Sequence, residues 1–236
     1  RRQRQMCIRD RHNPSGHHLD EAALKALAAV AATVGAHVLV DEVYADFAEE
    51  KGDLPAARLA PNLISVNSLT KVFGLFSLRC GWIVTTRATA RRIANASAGR
   101  EFGVSKLTHA LGALVLEKPA PFEAHWRKVL ETSRPVVERH LAAMKADELI
   151  EGDLPPYGCI AFPRVVGHDD TRKLAEILWR DHDIVTAPGE FFGQAGHMRL
   201  GFGVPAPTID RGLAKLHEAL FALRRAGAGP SSIHRS

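Results

Sequence analysis

The sequence predicts an α/β fold with a mainly parallel sheet, followed by a smaller α+β domain. Short apolar runs typical of buried strands alternate with longer segments in which apolar residues recur at helical spacing. This alternation is typical of parallel strands joined by crossover helices. A long helical pattern at mid-chain, residues 122–145, then precedes a second group of shorter elements, and we expect it to join two domains.

In the first region, Asp20 is expected to cap a helix that ends near Gly35, because aspartate favours helix starts and glycine favours helix ends. A further helical pattern covers residues 86–117. Three apolar runs are predicted to be strands: 37–40, 63–66 and 80–85.

In the second region, Pro135 is expected to kink or split the long helix, because proline cannot donate a backbone hydrogen bond. The remaining predicted elements are strands near 159–163, 184–187 and 197–202 and helices at 171–182 and 208–225.

The composition is that of a soluble globular protein, since 46% of the 236 residues are hydrophobic and 24% are charged. No apolar run approaches the roughly 18–20 residues of a membrane span, so no membrane partner is expected. Cys7, Cys80 and Cys159 are scattered and form no CxxC pair, which favours a reducing cytoplasm.

The net charge of +5 is concentrated in residues 1–11, where five arginines stand against one aspartate. Without this segment the chain is nearly neutral, so no nucleic-acid partner is expected. The segment shows no strand or helix period, and we expect residues 1–11 to be non-native or disordered. Residues 226–236, rich in glycine and serine, are expected to form a frayed tail.

The most informative stretch is residues 67–82, which holds Lys71 and, eight residues later, Arg79. It lies between two predicted strands, and open α/β sheets bind ligands at strand ends. A lysine there can be desolvated enough to act as an amine nucleophile toward a carbonyl, and an arginine can hold a phosphate or carboxylate in bidentate fashion.

Three other short motifs stand in order around this stretch: Asn13-Pro14-Ser15-Gly16, Asp41-x-x-Tyr44, and Arg199 within His-Met-Arg-Leu-Gly. Each alone has an ordinary structural interpretation as a turn, a cap or a salt-bridge partner. Their joint order and spacing with Ser68-x-Thr70-Lys71 are far more specific.

With these motifs, residues 12–225 resemble the fold-type I pyridoxal-phosphate (PLP) enzymes, and most closely the class I/II aminotransferases. The resemblance implies a three-layer αβα PLP-binding large domain, here residues 12–130, and a small C-terminal domain, residues 131–225. It also implies PLP as cofactor, amino acid and 2-oxo acid substrates, and a homodimer.

The resemblance further assigns roles to the motif residues around the cofactor ring. Lys71 is similar to the lysine that forms the internal aldimine, a Schiff base, and shuttles the proton. Asp41 is similar to the carboxylate that pairs with the pyridine nitrogen, and a carboxylate there favours the charged ring. Asn13 and Tyr44 are similar to the hydrogen-bond partners of the ring hydroxyl.

At the periphery, Ser68 and Arg79 are similar to part of the phosphate anchor, and Arg199 to the clamp for the substrate α-carboxylate. Two departures are minor: Ser77 stands where the family commonly has glycine, and Cys80 where it has an aliphatic residue.

A third departure is larger, because family members carry a long segment before the Asn13 turn. That segment holds the helix start that cradles the phosphate and the aromatic ring that stacks on the pyridine. We therefore expect this chain to correspond to the C-terminal two-thirds of such an enzyme.

Several alternatives remain open. A PLP-dependent lyase or decarboxylase uses the same residues, and a non-catalytic PLP-binding module or an inactive fragment fits the same fold. No metal is expected, since His12, His17 and His18 lack supporting carboxylates or cysteines. A serine hydrolase is excluded for lack of a G-x-S-x-G elbow, and Gly201–Gly203 lacks the third glycine of a dinucleotide site.

Overall fold

The structure is a computed structural model that describes residues 6–9, 12–16, 19–45, 55–71, 73–98 and 105–227. The chain divides into two compact units, residues 1–126 and 127–236. Each unit has its own strands and its own apolar core.

The first unit contains a four-stranded sheet in the order β1-β2-β3-β4. The first three strands are parallel, and β4 runs antiparallel to β3. A mainly parallel sheet was expected, but the antiparallel last strand was not; twelve residues without a crossover helix join it to β3. The strands are β1 Met6–Arg9, β2 Val38–Asp41, β3 Leu63–Ser68 and β4 Gly81–Val84.

The prediction that residues 1–11 lie outside the fold is wrong for Met6–Arg9. These residues form β1, which pairs with β2 in a register that places Met6 opposite Val38 and Arg9 opposite Asp41. A three-residue apolar run, Met6 to Ile8, is flanked by arginines and was therefore not recognised as a strand. It is long enough for one strand of a parallel sheet. Residues 1–5, 10 and 11 lie outside the described residues.

The first helix, α1 (Glu21–Thr33), confirms the predicted cap. The Ala23 amide donates to Asp20 Oδ1 at 2.8 Å, and Gly35 follows the helix end with φ of +64°. The helical pattern predicted over residues 86–117 forms two helices instead of one: α2 (Arg87–Ser97) and α3 (Lys106–Glu117). Thr86 and Ser105 cap their N-termini.

The core of the first unit lies between α1 and the sheet. Leu24, Ala28 and Ala31 recur at helical spacing and are buried, so one stripe of α1 faces apolar side chains. The strands contribute Val38, Val40 and Leu63, which are fully buried.

The long mid-chain helix, α4 (Ala120–Ala146), is continuous through Pro135. The sequence had led us to expect a kink or a break there. Pro135 removes only one backbone donor and is exposed, whereas Ser133, Val137, Leu141 and Met144 form a buried stripe along the same helix. Burial of this stripe outweighs the missing hydrogen bond.

The second unit combines helices α5 (Thr171–His182) and α6 (Ala206–Gly227) with short antiparallel strands. One sheet pairs β5 with β7, and another has the order β6-β9-β8. The strands are β5 Ile150–Glu151, β6 Ile160–Ala161, β7 Arg164–Val165, β8 Ala187–Pro188 and β9 Met198–Gly201.

The predicted strand 184–187 is mostly wrong, because its first residues form the C-terminal cap of α5. Asp183 adopts the left-handed conformation with φ of +53°, and the Ile184 amide donates back to the Leu178 carbonyl at 3.0 Å. This is a helix-ending arrangement, so the strand begins only at Ala187.

The second unit has one continuous apolar core from its three helices and its strands. Its most deeply buried side chains include Met144, Leu178, Met198 and Phe202. Within the described residues, no helix combines the length and the apolar character that a membrane crossing requires.

Candidate active site

The motif residues of the first unit collect at one edge of its sheet. The parallel strands β1, β2 and β3 are in register, with Arg9 opposite Asp41 and Asp41 opposite Val66, so their carboxyl ends lie side by side. Asn13 follows the first of these ends, Asp41 closes the second, and Lys71 follows the third. Ligands of α/β sheets bind at this edge.

Lys71 lies in the connection from β3 to β4, which backbone hydrogen bonds hold in place. The Leu69 amide donates to the Cys80 carbonyl, the Leu75 amide to the Leu69 carbonyl, and the Gly74 amide to the Lys71 carbonyl, each at 3.0 Å. Gly74 has φ of +66°, a conformation that glycine adopts without strain. The loop therefore fixes the backbone of Lys71 between two strands.

Two glycines allow close packing around this loop. A Cβ atom on Gly81 would lie 2.9 Å from the Asn67 carbonyl oxygen, so only glycine lets β4 pair closely with β3 there. A Cβ atom on Gly112 of α3 would lie 3.0 Å from Cys80 Sγ and 3.7 Å from Leu69 Cδ1. Helix α3 thus supports the loop from the side of the buried Leu69.

The Lys71 amine lies against Tyr44. Lys71 Nζ is 5.6 Å from the centroid of the Tyr44 ring, close enough for a cation–π interaction. Tyr44 is buried, with 9% of its surface exposed, and Lys71 is half-buried. Two residues that are 27 positions apart in the sequence therefore meet at the sheet edge.

The other polar groups at this edge are held by local hydrogen bonds. Asp41 Oδ1 accepts from the Val43 amide at 3.3 Å, and Ser68 Oγ accepts from the Thr70 amide at 3.3 Å. Asp41 and Ser68 are half-buried, as is Asn13. Each group is therefore partly shielded from water while one side remains accessible.

Arg79 is placed differently from the rest. It is exposed, and its guanidinium carbon lies 5.2 Å from the centroid of the Phe76 ring. Its backbone has φ of +48°, which is uncommon for a residue other than glycine. Among the described residues it has no ion-pair partner, so its charge is not neutralised by this part of the chain.

Arg199 belongs to the second unit, at the middle of β9. It pairs with Ala187 of β8, and its Nε is buried with no hydrogen-bond partner among the described residues. A buried guanidinium nitrogen without a partner is costly, and a ligand that accepts its hydrogen bond would remove that cost. A carboxylate matches the donor geometry of arginine.

The motifs did not reveal Glu42, which is buried beside Asp41. Its Oε1 accepts from the Ser65 hydroxyl at 2.6 Å and from the Ala56 amide at 2.7 Å. A glutamate inside an apolar run is the only signal in the sequence that could have indicated it.

Comparison with known proteins shows the family of this chain. The sequence profile of the family described as "Aminotransferase class I and II" matches residues 2–216. The chain belongs to the class I and II aminotransferase family. The match begins at residue 2, so it includes most of the segment that was expected to be foreign to the fold.

Two curated relatives illustrate the range of this aminotransferase family. Capreomycidine synthase from Streptomyces vinaceus is 31% identical over 222 residues, which are 93% of this chain and 56% of that protein. An aspartate aminotransferase from Pyrococcus horikoshii is 25% identical over 225 residues, covering 92% of this chain and 56% of the relative. The chain thus spans little more than half the length of these relatives.

Solved structures show the same fold. A PLP-dependent aminotransferase from Streptococcus suis superposes with a TM-score of 0.84 at 24% identity, covering 92% of this chain and 57% of that one. An aromatic aminotransferase from Pyrococcus horikoshii gives a TM-score of 0.78 at 20% identity, covering 94% and 61%. At these identities the likeness establishes the α/β fold of this enzyme family.

The family implies PLP as the cofactor, and the side chains at the sheet edge fit this molecule. An aldehyde requires a primary amine such as that of Lys71, and a protonated ring nitrogen can pair with a carboxylate such as that of Asp41. The buried Tyr44 beside Lys71 adds a phenol. Amine, carboxylate and phenol therefore lie on neighbouring strand ends of one sheet.

Proposed function

We propose that this protein is a PLP-dependent aminotransferase that moves an amino group between an amino acid and a 2-oxo acid. The observation that carries the proposal is the position of Lys71 over the ring of Tyr44, at the sheet edge where Asp41 ends β2. Family membership over residues 2–216 supports it independently.

In this proposal, Lys71 performs two tasks. Its Nζ would bind the cofactor aldehyde covalently, and once released it would remove the substrate's α-proton as general base and deliver that proton as general acid. PLP, when bound, supplies an aldehyde and a ring that accepts electrons from the substrate. The half-buried position of Lys71, on a loop fixed by three hydrogen bonds, suits a group that must hold and move a proton at one place.

The other site residues would bind and orient. Asp41 would pair with the ring nitrogen, and Asn13 and Tyr44 would donate hydrogen bonds to the ring hydroxyl. Ser68 and Arg79 would contribute to phosphate binding. The guanidinium of Arg79, which is exposed and has no ion-pair partner among the described residues, supports this.

Arg199 would bind the substrate α-carboxylate. Its support is the buried Nε, which lacks a hydrogen-bond partner among the described residues and would gain one from a carboxylate oxygen. Such a contact would fix the orientation of the amino acid, which is a positioning effect.

A PLP-dependent lyase or decarboxylase is the second candidate. The capreomycidine synthase of Streptomyces vinaceus bears the name of a synthase and not of a transaminase, and it is 31% identical to this chain. One relative of this chain therefore bears a name other than aminotransferase. An inactive fragment or a non-catalytic PLP-binding module is a third reading.

A half-reaction assay separates these candidates. The chain is loaded with PLP, freed of excess cofactor and mixed with a panel of amino acids under single-turnover conditions. An aminotransferase releases one 2-oxo acid per site and leaves pyridoxamine phosphate, and Lys71→Ala abolishes this conversion. Return of the PLP form with release of another product would identify a lyase or decarboxylase instead. No conversion of any amino acid would contradict transferase activity for this chain.

We also propose the family's architecture and setting for the complete protein. The first unit would belong to a three-layer αβα domain, and the second would form a smaller α+β domain. A homodimer in the cytoplasm is proposed, and apolar side chains exposed on α3, Leu107 at 70% and Leu114 at 49%, support an interface. Light scattering after gel filtration tests the dimer.

A further inference from the structure

Glu42 is the only glutamate or aspartate among the described residues that is buried. It directly follows Asp41 at the end of β2, and only 9% of its surface is exposed. Burying a carboxylate is costly unless hydrogen bonds compensate for the lost water. The hydrogen bonds of the Glu42 side chain therefore indicate which parts of the structure it holds in place.

The side chain of Glu42 joins three segments of the first unit. Oε1 accepts from the hydroxyl of Ser65, at the middle of β3, and from the amide of Ala56, beyond the turn that follows β2. Ser65 Oγ in turn accepts from the amide of Ala57 at 3.0 Å. One carboxylate and one hydroxyl thus tie β2, β3 and residues 56–57 together.

The backbone of Glu42 holds the turn that carries Tyr44. Its amide donates to the Val66 carbonyl at 2.8 Å and extends the pairing of β2 with β3 by one residue. Its carbonyl accepts from the Ala45 amide at 2.9 Å and closes the turn from residue 42 to residue 45. Tyr44 lies inside this turn, against the amine of Lys71.

The two halves of the Tyr44–Lys71 contact come from different strands. Tyr44 follows β2, and Lys71 follows β3, six residues beyond Ser65. Glu42 contacts both strands within a few residues of the two side chains. A rotation or slip of the β2 turn relative to β3 would break the Glu42–Ser65 hydrogen bond and move the Tyr44 ring away from Lys71.

We infer that Glu42 is a positioning residue, whose hydrogen bonds to Ser65 and Ala56 fix the Tyr44 ring against the Lys71 amine. The inference rests on the proposed function only in giving this contact a role in cofactor binding. The contact joins two side chains of the chain itself, so it can be tested without adding cofactor.

The test observes Tyr44 by NMR in the full chain labelled with ring ¹³C-tyrosine, without PLP. The sequence has only two tyrosines, so Tyr157→Phe assigns the Tyr44 signals at once. Because Lys71 Nζ lies over the ring, Lys71→Ala shifts these signals. The size of that shift measures the Tyr44–Lys71 contact. If Glu42 only stabilised the fold, substitutions at Glu42 would leave the size of the shift unchanged.

Four backgrounds are compared for this Lys71→Ala shift: wild type, Glu42→Gln, Glu42→Ala and Ser65→Ala. Glutamine keeps an oxygen that can accept both hydrogen bonds, so the shift is retained in Glu42→Gln. Glu42→Ala removes the carboxylate that accepts both hydrogen bonds, and Ser65→Ala removes the hydroxyl that donates to this carboxylate. Most of the shift is therefore lost in both variants. Glu117→Ala, an exposed glutamate of α3, is the control and keeps the shift.

The outcomes are decisive in each direction. A full shift in folded Glu42→Ala overturns the inference. If Glu42→Ala does not fold, Ser65→Ala decides in the same way, because it leaves the buried carboxylate in place. Failure of PLP to attach to Lys71 in the wild type would instead count against the proposed function and leave this result standing.

With PLP present, a second readout connects the contact to the cofactor. The pH dependence of the visible absorption of bound PLP should be the same in wild type and Glu42→Gln and displaced in Glu42→Ala. Tyr44→Phe, which removes only the phenol, sets the size of displacement that loss of this group produces.

Discussion

The two units of the molecule are stabilised in different ways. Among the described residues, the second unit has one cluster of seventeen buried apolar side chains, whereas the first unit has a cluster of seven. Yet the first unit carries all the proposed cofactor-binding groups. Its site is held by backbone hydrogen bonds of the β3–β4 loop and by the buried Glu42.

This difference suggests a division of roles. Packing of apolar side chains is non-directional and supports stability, whereas hydrogen bonds fix distances and angles. The first unit accordingly uses polar contacts where Lys71 and Tyr44 must meet. Substitutions should therefore affect the second unit mainly through steric fit and cavities.

The largest effect is expected for Gly189→Ala in the second unit. A Cβ atom there would lie 2.0 Å from the Gln194 carbonyl oxygen and 2.7 Å from that of His197, both backbone atoms. We expect the free energy of unfolding to fall by more than about 4 kcal/mol, which is exceptional for a single substitution. Urea unfolding measures it; Gly201→Ala, with no atom within 4 Å of the new Cβ, is the control. A native-like Gly189→Ala protein would contradict the geometry of this turn.

Next come two matched core truncations, Leu178→Ala in the second unit and Leu63→Ala in the first. Both side chains are fully buried, so each substitution should cost about 2–5 kcal/mol. Because the described residues of the first unit include fewer buried apolar side chains, its amides should approach unprotected exchange in Leu63→Ala. The second unit should stay partly protected in Leu178→Ala. Hydrogen exchange resolved by peptide measures the protection of each unit. Greater loss of protection in the second unit of Leu178→Ala than in the first unit of Leu63→Ala would contradict this difference between the units.

A smaller, pH-dependent effect is expected at Asp210 in the second unit. His140 Nε2 lies 2.6 Å from Asp210 Oδ1, and this hydrogen bond, aided by the charge of Arg139, lowers the pKa of Asp210. A lowered folded-state pKa gives stability that is present above the unfolded value of about 3.9 and lost as pH falls through the folded value.

Asp210→Asn should therefore reduce stability at neutral pH and flatten its decline below about pH 4. Chemical unfolding at a series of pH values measures this slope. Asp169→Asn, at an exposed aspartate whose ion-pair partner is 3.5 Å away, serves as the control and should change the slope less. An unchanged slope in Asp210→Asn would show that the His140 contact does not matter for acid stability.

The smallest effect is a gain. Gly212 is exposed in the interior of α6, and no atom lies within 4 Å of a Cβ placed there. Gly212→Ala should stabilise the second unit by about 0.5–1 kcal/mol, because alanine has less backbone freedom to lose. Thermal unfolding measures the gain. Gly193→Ala should instead destabilise, since Gly193 has φ of +74°, and a gain there would refute this reasoning.

Much of the fold could be predicted from local signals. Helix α5 was predicted with its observed ends, 171–182; in the structure Asp170 caps it, and the buried Leu174 and Leu178 recur at helical spacing. Strand β1 was missed because its apolar run has only three residues among arginines. The antiparallel direction of β4 depends on how the loop around Lys71 folds back, which no periodicity reveals.

The site shows the same limit. The motifs gave the residue types and their order, but the contact between Lys71 and Tyr44 joins the ends of two strands and depends on strand register. Glu42 was missed because sequence alone does not show which of two adjacent carboxylates is buried. Asp41 remains half-buried and Glu42 is enclosed, a difference set by the strand's alternation.

The most direct test of the central claim is to trap PLP on the chain with borohydride and to map the modified lysine by mass spectrometry. We expect one pyridoxyl group per chain on Lys71. It should be lost in Lys71→Ala and retained in Lys118→Ala, at an exposed lysine that follows α3. Modification spread over surface lysines, with no preference for Lys71, would contradict it.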